Sequence, residues 1–382
     1  MGRFTGILGA FALLAIAYGM SNNRKSISWR LVGWGVCLQV LFALFILKTP
    51  VGQPFFAAVD GGIRKLLSFS DAGSDFLFKS FSTGVVEGPL LNFAFRILPT
   101  IIFFSSLMAV LYYFGIMQWI VRLIARAMQK TMGTSGSETL AVSANIFVGQ
   151  TEAPLMVRPF VHTMTKSELM AVMTGGFATV AGGVMAIYVK MLSDVPGIAG
   201  HLMGASIMSA PAALVMAKII YPETEESETF GDLKISIEKV DDNAMEALAR
   251  GATSGLKLAG NVAAMLVAFV AMIAMANFVL GLVGLTLQEL LGYLLRPLAW
   301  TMGAPWKEAG TLGTLLGEKL VLTELIAYAD LSELRAAHAI SDRTAVIASY
   351  ALCGFANFAS IGIQLGGIGG IAPSRRKDLA RL

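Results

Sequence analysis

Long apolar segments recur along the whole chain, and they constrain its fold more than any other feature of the sequence. Seven are candidate membrane crossings, at about 4–20, 31–48, 95–119, 168–190, 203–221, 254–284 and 344–371. Each is close to the ~20 residues that an α-helix needs to cross a ~30 Å hydrocarbon core. Only 14% of the residues are charged, against about 25% in a soluble domain. Because lipid cannot hydrogen-bond to the backbone, we expect an all-α polytopic membrane protein.

Basic residues lie beside the apolar segments, and they set the predicted orientation. Arg24, Lys25 and Arg30 place the first loop inside, so the N-terminus faces out, and the basic tail that starts at Arg375 also falls inside. This pattern accounts for the net charge of +4, so the lipid bilayer and not nucleic acid is the expected partner. The acidic stretch Pro222–Asp232 falls inside as well and is interpreted as a solvated linker.

Several other protein classes find no support in the sequence. The run 4–20 is interpreted as a retained crossing, with a signal peptide as the alternative, because a basic loop follows and an A-x-A-like site does not. Cys37 and Cys353 stand alone, which argues against a disulfide framework or a metal site. No HExxH, GxSxG or GxxxxGK[ST] motif occurs, so an enzyme is not expected. The segment 54–92 is interpreted as an interfacial helix.

Two further segments, about 138–162 and 306–330, are apolar but broken by polar residues in the middle. The first contains GQTEAPL with Glu152, and the second contains LTELIAY with Glu324. An isolated charge in hydrocarbon costs at least ~2.5–3.5 kcal/mol, so each carboxylate must face a cavity or a partner. Ion pairs with Arg158 and with Lys319 are the structural alternative.

The backbone of the first broken segment is expected to unwind at its centre. Gly149 tolerates unusual dihedral angles, Thr151 can cap a helix, and Pro154 suits the first turn of a new one. Irregular backbone at membrane depth is tolerated only where it lines a cavity or is covered by protein. Both broken segments are therefore predicted to be re-entrant helical hairpins.

A repeat relates the two halves of the chain. GGFATVAGGV (Gly175–Val184) resembles CGFANFASIG (Cys353–Gly362), and a polar hairpin precedes each. On the predicted orientation one hairpin enters from inside and the other from outside, so the repeat is inverted. Inverted repeats with broken transmembrane helices are typical of secondary transporters. The crossing at 203–221 has no counterpart in the second unit, and we interpret this as a missing final crossing.

GQTEAPLMVRPF, FATVAGGV, PWKEAG, a Glu-x-x-Ala-Tyr and CGFAN, in this order, resemble the concentrative nucleoside transporter family in its bacterial form. The resemblance covers nearly the whole chain. It implies a homotrimeric elevator-type transporter with eight crossings, in which crossings one, two, three and six form a scaffold. It also implies a nucleoside substrate and sodium as the coupling ion.

The resemblance also implies site residues. The nucleobase would be bound by Gln150, Thr151, Glu152 and Val184, and the ribose by Glu324, Asn357 and Ser360, with Phe355 lining the pocket. Oxygen atoms of Asn145, Val148, Thr179 and Val180 would hold the sodium ion. Four residues depart from the family pattern, while Glu324 matches it. Thr323, Glu324 and Leu325 stand where Asn-Glu-Phe is common, Ala359 replaces a second serine, and Thr179 replaces a serine.

The sequence therefore predicts a sodium-driven symporter of a bacterial inner membrane. Its expected substrates are uridine-like pyrimidine nucleosides, with purine nucleosides left open. The alternative is a proton-coupled symporter in which Glu152 or another carboxylate carries the proton. A passive pore and an intramembrane enzyme are rivals from other classes. The predicted division of the chain is scaffold (1–130), first transport repeat (131–222), linker, amphipathic helix and scaffold crossing six (223–300), and second transport repeat (301–382).

Overall fold

The computed structural model describes residues 5–78, 98–230, 241–282 and 284–382. Every regular element in these ranges is helical, which confirms the predicted class. The first half contains α1 (Thr5–Gly19), α2 (Trp29–Lys48), α3 (Gly52–Phe78), α4 (Leu98–Tyr113), α5 (Ile116–Met132), α6 (Gly136–Asn145), α7 (Lys166–Ala178), α8 (Gly182–Met191) and α9 (Ile198–Ile220). The second half contains α10 (Ala244–Gly281), α11 (Leu287–Thr301), α12 (Trp306–Val321), α13 (Glu324–Ala336), α14 (Asp342–Leu352), α15 (Phe358–Ile371) and α16 (Arg376–Arg381).

The apolar segments do not correspond one to one with straight crossings. In the described part of the chain, three helical spans are long and apolar enough to cross a membrane on their own. They are Trp29–Ile46, Lys166–Met191 and Ile198–Ile220. The run 4–20 and the end of the run 344–371 form shorter apolar helices. Several predicted crossings are therefore assembled from broken or short helices, and apolar length alone sets only their approximate place.

The predicted crossing at 95–119 is wrong in its extent. Helix α4 ends at Tyr113, and α5 leaves at an angle of 77°. The turn is possible because Gly115 takes a positive φ of 78°, which costs a glycine little. Helix α5 buries Met117, Val121 and Met128 on one side, and this spacing is typical of an amphipathic helix packed on one face. The segment 54–92, which was predicted to form an interfacial helix, is helical in α3 as far as Phe78. Residues 79–92 lie outside the described residues.

Both predicted hairpins are present. The first runs down α6, turns at 146–152, and returns through a 3-10 segment, Ala153–Phe160. The second consists of α12 and α13, which meet at Leu322 and Thr323. A broken helix follows each hairpin, with non-helical backbone at 179–181 between α7 and α8, and at 353–357 between α14 and α15. The sequence repeat thus corresponds to a structural one.

The interpretation of the acidic stretch as a solvated linker holds for the exposed residues 224–226 and 228 but is wrong for Ser227 and Thr229. Thr229 is buried, and its hydroxyl donates to Glu168 Oε1 over 3.0 Å. Ser227 Oγ donates to the same oxygen over 2.6 Å. Lys218 Nζ lies 2.7 Å from Glu138 Oε2 at the start of the first hairpin. The linker is therefore docked on the base of the first repeat by buried polar groups, which must be hydrogen-bonded to be tolerated there. Residues 231 and 232 lie outside the described residues.

Small residues bring helices close together around the two hairpins. A side-chain carbon added to Gly251 or Gly255 of α10 would lie 2.6 or 2.7 Å from backbone atoms of α4. One added to Gly313 of α12 would lie 2.9 Å from the carbonyl oxygen of Gly292 in α11. Membrane helices pack through such small-residue surfaces. These contacts hold α4 against α10, and hold the first arm of the second hairpin against α11.

Candidate functional site

Hairpin 1, defined here as Gly136–Phe160, starts with a capping box. The Ser135 side chain and the Glu138 carboxylate cap each other's backbone N–H groups, which fixes the start of α6. The helix ends at Asn145, and the backbone then turns through bonds such as Ala153 N to Gly149 O over 3.1 Å. A side-chain carbon on Gly149 would lie 2.2 Å from Glu152 Oε2. The predicted unwinding at Gly149 is therefore present, and the glycine also leaves room for this carboxylate.

The hairpin 1 tip is hydrogen-bonded to the second repeat through Gln150. Gln150 Nε2 donates to Ser360 Oγ of α15 over 3.1 Å. Gln364, one turn further along α15, donates from Nε2 to Gln150 Oε1 over 3.0 Å and to the Met173 carbonyl over 3.0 Å. A glutamine has both donor and acceptor groups, and here both are used. Sequence analysis missed Gln364, although it lies four residues after Ser360 and hence on the same helix face.

Hairpin 2, defined as Trp306–Ala336, places Glu324 in a second polar cluster. Glu324 is the first residue of α13 and is 5% exposed. Its Oε1 accepts a hydrogen bond from Tyr188 Oη of α8 over 2.9 Å, and its Oε2 accepts one from Asn357 Nδ2 over 2.9 Å. The alternative ion pair with Lys319 is not what the side chains form. Lys319 Nζ instead donates to the carbonyls of Ala351 and Cys353 over 3.0 and 3.3 Å.

Tyr188 is a second residue of the candidate site that was not predicted from the sequence. Its ring stacks on Tyr328 of α13, with ring centroids 4.1 Å apart. Tyr328 Oη donates in turn to the Ser349 carbonyl over 2.6 Å. Tyr188 lies one helical turn after Val184, so both side chains are on the same face of α8. A tyrosine hydroxyl on the face that carries a predicted site residue is the sequence signal that could have indicated it.

The two clusters are joined at the break between α14 and α15. Asn357 caps α15, and its Oδ1 accepts a hydrogen bond from the Ser360 backbone N over 2.8 Å. Gly354 takes a φ of 119° at this break, in close contact with the carbonyls of Phe177 and Ala178. Phe355 N donates to the Thr179 carbonyl over 3.3 Å. The breaks of the two repeats therefore touch, and one polar network runs from Gln150 to Glu324.

The other four predicted substrate-binding residues lie around this polar network, three of them packed against neighbouring residues and one with an exposed side chain. Val184 is buried in the apolar cluster that also contains Tyr188, and half-buried Phe355 packs against that cluster. The Thr151 side chain packs against α15, because a side-chain carbon added to Gly367 of that helix would be 2.8 Å from Thr151 Cγ2. Glu152 stands apart, because its exposed carboxylate forms neither a hydrogen bond nor an ion pair with the residues that the structure describes. The alternative of a Glu152–Arg158 ion pair is thus not formed either.

The four predicted sodium ligands lie around the end of α6 and the break after α7. Asn145 is fully buried, and neither its Oδ1 nor its Nδ2 has a hydrogen-bond partner among the residues that the structure describes. Its Nδ2 lies against Gly175, and Thr179 Oγ1 donates to the carbonyl of that same Gly175 over 2.9 Å. Val180 is fully buried, and Val148 is half-buried. An unpaired buried amide costs about 1–3 kcal/mol, so a cation at Asn145 Oδ1 would remove part of that cost.

Comparisons with known proteins agree with this architecture. Family models described as the C-terminus and the N-terminus of Na+ dependent nucleoside transporters match residues 201–382 and 8–81, and one described as nucleoside recognition matches residues 94–195. The chain is 44% identical to "Uncharacterized transporter YutK" of Bacillus subtilis, across 99% of this chain and 93% of that protein.

Two further similarities extend the comparison to a mammalian protein and to a solved structure. The chain is 42% identical to mouse Sodium/nucleoside cotransporter 1, covering 98% of this chain and 59% of that longer protein. The structure of CNTnw in an inward-facing substrate-bound state is 44% identical, with a TM-score of 0.91, and the match covers 100% of this chain and 92% of that one. These similarities fit a polytopic helical protein with two hairpins.

Proposed function

The chain belongs to the Na+ dependent nucleoside transporter family, and on that premise we propose that it imports nucleosides across a bacterial inner membrane, driven by the sodium gradient. Members of this family are multi-pass transporters and not enzymes. The observation that carries the sodium part of the proposal is the unpaired amide of Asn145 beside Thr179. Sodium prefers hard oxygen ligands, and amide, carbonyl and hydroxyl groups supply them.

The proposed substrates are uridine-like pyrimidine nucleosides, bound between the hairpin tips and the two helix breaks. A nucleoside is uncharged but carries hydroxyl and imide groups, and hydrogen bonds from these groups to a carboxylate contribute about 1.5–3 kcal/mol each. Glu324, Asn357 and Ser360 form one side of the proposed site, and they already hydrogen-bond to one another or to shared neighbours. Gln150, Thr151 and Glu152, with Val184, form the other side, and Phe355 lines the pocket.

The proposed coupling follows from shared structure. Asn145 and Val148 belong to the same hairpin as Gln150 and Glu152, so an ion bound at the end of α6 orders the turn that contacts the nucleoside. One sodium ion moving through 100 mV contributes ~2.3 kcal/mol, and a tenfold gradient adds ~1.4 kcal/mol. Together these support an accumulation of several hundredfold.

We further propose that the protein acts as a homotrimer with an elevator-type movement. Residues 1–130 and crossing six, which lies within 223–300, would form the scaffold, and the repeats 131–222 and 301–382 would move together as the transport domain. The hydrogen bonds between Gln150 and Ser360, and between Tyr188 and Glu324, support this division because each joins one repeat to the other.

The test of sodium coupling is uridine uptake into proteoliposomes at fixed pH, with sodium replaced by choline. We expect uptake to collapse in choline, and Asn145→Ala to lose the sodium dependence of uptake. Ser206→Ala is the matched control, because Ser206 Oγ donates to the Ile146 carbonyl in the same turn over 3.3 Å but is not a predicted ligand. Undiminished uptake in choline, with dependence on an inward proton gradient, would establish the proton-coupled alternative instead.

A further inference from the structure

Helix α5 carries three basic side chains that have no partner among the described residues. Arg122, Arg126 and Lys130 are exposed, and none of them forms a hydrogen bond or an ion pair within the part of the chain that the structure describes. They follow one another at intervals of four, so they share one face of the helix. The helix contains neither Asp nor Glu. Its exposed face therefore has a positive charge that the helix itself does not compensate.

The neighbouring helices do not supply the missing negative charge. The helices packed against α5 include α2, α4 and α6, and the first two contain no Asp or Glu. The carboxylate of α6 is Glu138, which is buried and pairs with Lys218 over 2.7 Å. A group that neutralises the basic face would therefore come from outside the residues that the structure describes.

Apolar side chains lie beside the basic ones on the exposed side of α5. Ile116, Trp119 and Leu123 are exposed, Trp119 by 67%, and their spacing of three and four residues places them on one face. The residues that α5 buries form a separate face and are Met117, Val121, Ala125, Met128 and Met132. A helix with Lys and Arg next to exposed Trp and Leu is typical of one that lies in the membrane interface.

The surroundings of α5 indicate which surface of the membrane it lies on. It leaves α4 at 77°, so it runs nearly across the direction of that apolar helix. Met132 belongs to the same buried cluster as Ile27 and Leu31, which flank the start of α2 at the basic loop that is predicted to lie inside. Free cations are costly in hydrocarbon, so both exposed faces of α5 favour the inner surface of the membrane over a crossing.

We propose that the exposed face of α5 binds anionic phospholipids of the inner leaflet. The side chains of Arg122, Arg126 and Lys130 contact the lipid phosphates, and those of Trp119 and Leu123 lie among the upper acyl chains. Arginine suits this role because its planar group can donate two parallel hydrogen bonds to a phosphate. Each cation near an anionic surface strengthens binding by up to about fivefold, equivalent to ~1 kcal/mol, and salt weakens the effect.

Such a lipid would act on the entry to hairpin 1. Helix α5 ends before Gly133, whose φ of 67° turns the chain, and hairpin 1 begins three residues later at Gly136. The proposed boundary between the scaffold and the first transport repeat falls at the same place, after residue 130. The bound lipid therefore holds the scaffold side of this boundary at a fixed depth while the repeat moves. That last step rests on the proposed elevator movement, whereas the lipid binding does not.

Quenching of Trp119 fluorescence by brominated lipids tests the binding. The protein is reconstituted into phosphatidylcholine vesicles in which brominated phosphatidylglycerol or brominated phosphatidylcholine replaces part of the lipid. The contribution of Trp119 is the difference between the natural protein and Trp119→Phe. We expect half-quenching of Trp119 at about a tenfold lower mole fraction of the brominated phosphatidylglycerol.

Three double variants separate a site on α5 from a general effect of charge. Arg122→Gln with Arg126→Gln should reduce the preference to about twofold or less. Arg122→Lys with Arg126→Lys keeps both charges and should retain most of it. The matched control is Lys377→Gln with Arg381→Gln, which removes two exposed cations at the same spacing from α16. This short helix, all of which the structure describes, exposes no large apolar side chain, so the control should quench like the natural protein.

Four outcomes would overturn the proposal. Equal quenching by the two brominated lipids in the natural protein is the first, and an equal loss of preference in the α16 control is the second. The third is loss of the preference on adding glycerol phosphate, beyond the effect of sodium chloride at the same ionic strength, which would indicate a site for soluble phosphates. The fourth is a smaller assembly of the Arg122→Gln, Arg126→Gln variant on a sizing column, which would mark this face as a subunit contact. Because quenching is measured without nucleoside and without a sodium gradient, failure of the proposed transport function leaves this test intact.

Discussion

The two hairpins carry the same local motif but place it in different surroundings. In each, a threonine and a glutamate stand at the break, Thr151–Glu152 in hairpin 1 and Thr323–Glu324 in hairpin 2. Glu324 is buried and accepts two hydrogen bonds, whereas the Glu152 carboxylate is exposed and makes none with the described residues. The same pair of residues therefore gives one carboxylate that is fixed in advance and one that is left open.

The difference shows what the tertiary neighbours contribute. The hairpin 2 tip packs against α8 and against the break before α15, which bring Tyr188 and Asn357 to Glu324. The hairpin 1 tip meets α15 through Gln150 instead, and the Glu152 carboxylate forms no hydrogen bond or ion pair within the described ranges. We interpret Glu324 as a preorganised group, whose geometry exists before the nucleoside binds, and Glu152 as a group whose partner is the nucleoside itself. Preorganised groups lose less freedom on binding.

The sharpest way to test the preorganised side is Glu324→Gln. A glutamine can accept from Asn357 with its Oε1 and donate from its Nε2 to Tyr188 Oη, but the charged acceptor that strengthens both bonds to Glu324 is lost. We expect nucleoside to bind about 100-fold more weakly, equivalent to ~2.7 kcal/mol, and the ligand-free protein to melt at a lower temperature. Titration calorimetry and thermal unfolding measure the two effects.

The control for Glu324→Gln is Glu333→Gln, an exposed carboxylate on the same helix. Both variants should elute from a sizing column like the natural protein, since neither changes a predicted subunit contact. Unchanged uridine affinity in Glu324→Gln would show that this carboxylate has a structural role only.

Glu152→Gln addresses the open side of the comparison. Because the carboxylate is exposed and forms no hydrogen bond or ion pair with the described part of the chain, its loss should leave the melting temperature unchanged, as is usual for an exposed substitution. A charge-assisted hydrogen bond is roughly twice as strong as a neutral one, so nucleoside should bind about tenfold more weakly. A lower melting temperature without loss of affinity would reverse the assignment of roles to the two glutamates.

Tyr188→Phe separates the hydrogen bond to Glu324 from the packing around it. The variant keeps the ring that stacks on Tyr328 but removes the hydroxyl that donates to Glu324. We expect nucleoside affinity to fall by about fivefold, equivalent to ~1 kcal/mol, a typical net contribution of one hydrogen bond.

Tyr328→Phe is the matched control, because it removes an equally buried hydroxyl that donates to the Ser349 carbonyl instead. This variant should lower the melting temperature and leave the affinity nearly unchanged. Equal losses of affinity in both variants would mean that the two rings act only as one packed unit.

The smallest effect is expected outside both hairpins, at Asp241. Arg250 donates from Nε and Nη2 to the Asp241 carboxylate, each over 2.7 Å, and these bonds hold the pKa of Asp241 below its ordinary value. Such a group stabilises the protein at pH values above the ordinary pKa of about 3.9, and the effect is lost as pH falls through the lowered one.

The Arg250 side chain is 45% exposed, so solvent screens the pair. We expect Asp241→Asn to cost less than ~1 kcal/mol at pH 7, and to leave nucleoside affinity unchanged. Thermal unfolding at pH 7 and at about pH 3 checks this, because the difference between variant and natural protein should shrink once the pH falls below the ordinary pKa of about 3.9. An affinity change would contradict the restriction of the site to the hairpins and helix breaks.

Much of the fold could be predicted from the sequence because its main signals are local. The break at Gly149 and the second break at Glu324 were predicted from the residues that interrupt apolar runs. The bend at Gly115 was missed, because the run 95–119 stays apolar on both sides of it and apolar length says nothing about direction. The docking of Thr229 was missed for the opposite reason, since acidic and hydroxyl-bearing residues usually mark a solvated segment.

The candidate site was predicted only in part. The polar residues within the two repeated motifs were found because charged and amide groups are rare in apolar segments. Tyr188 and Gln364 were missed, since a single tyrosine or glutamine in a membrane helix is ordinary unless its partner is known. Their partners lie 136 and 214 residues away in sequence, beyond the reach of any local pattern.

The sequence by itself determined that this protein is a helical membrane transporter with two hairpins and two broken helices. It could do so because lipid leaves each segment to satisfy its own backbone hydrogen bonds, so composition and breaks decide the elements locally. Only the tertiary structure decided which side chains meet, including Glu324 with Tyr188 and Gln150 with Ser360. Such pairing depends on how separate helices pack, and it makes one glutamate of the repeated motif buried and bonded and leaves the other exposed.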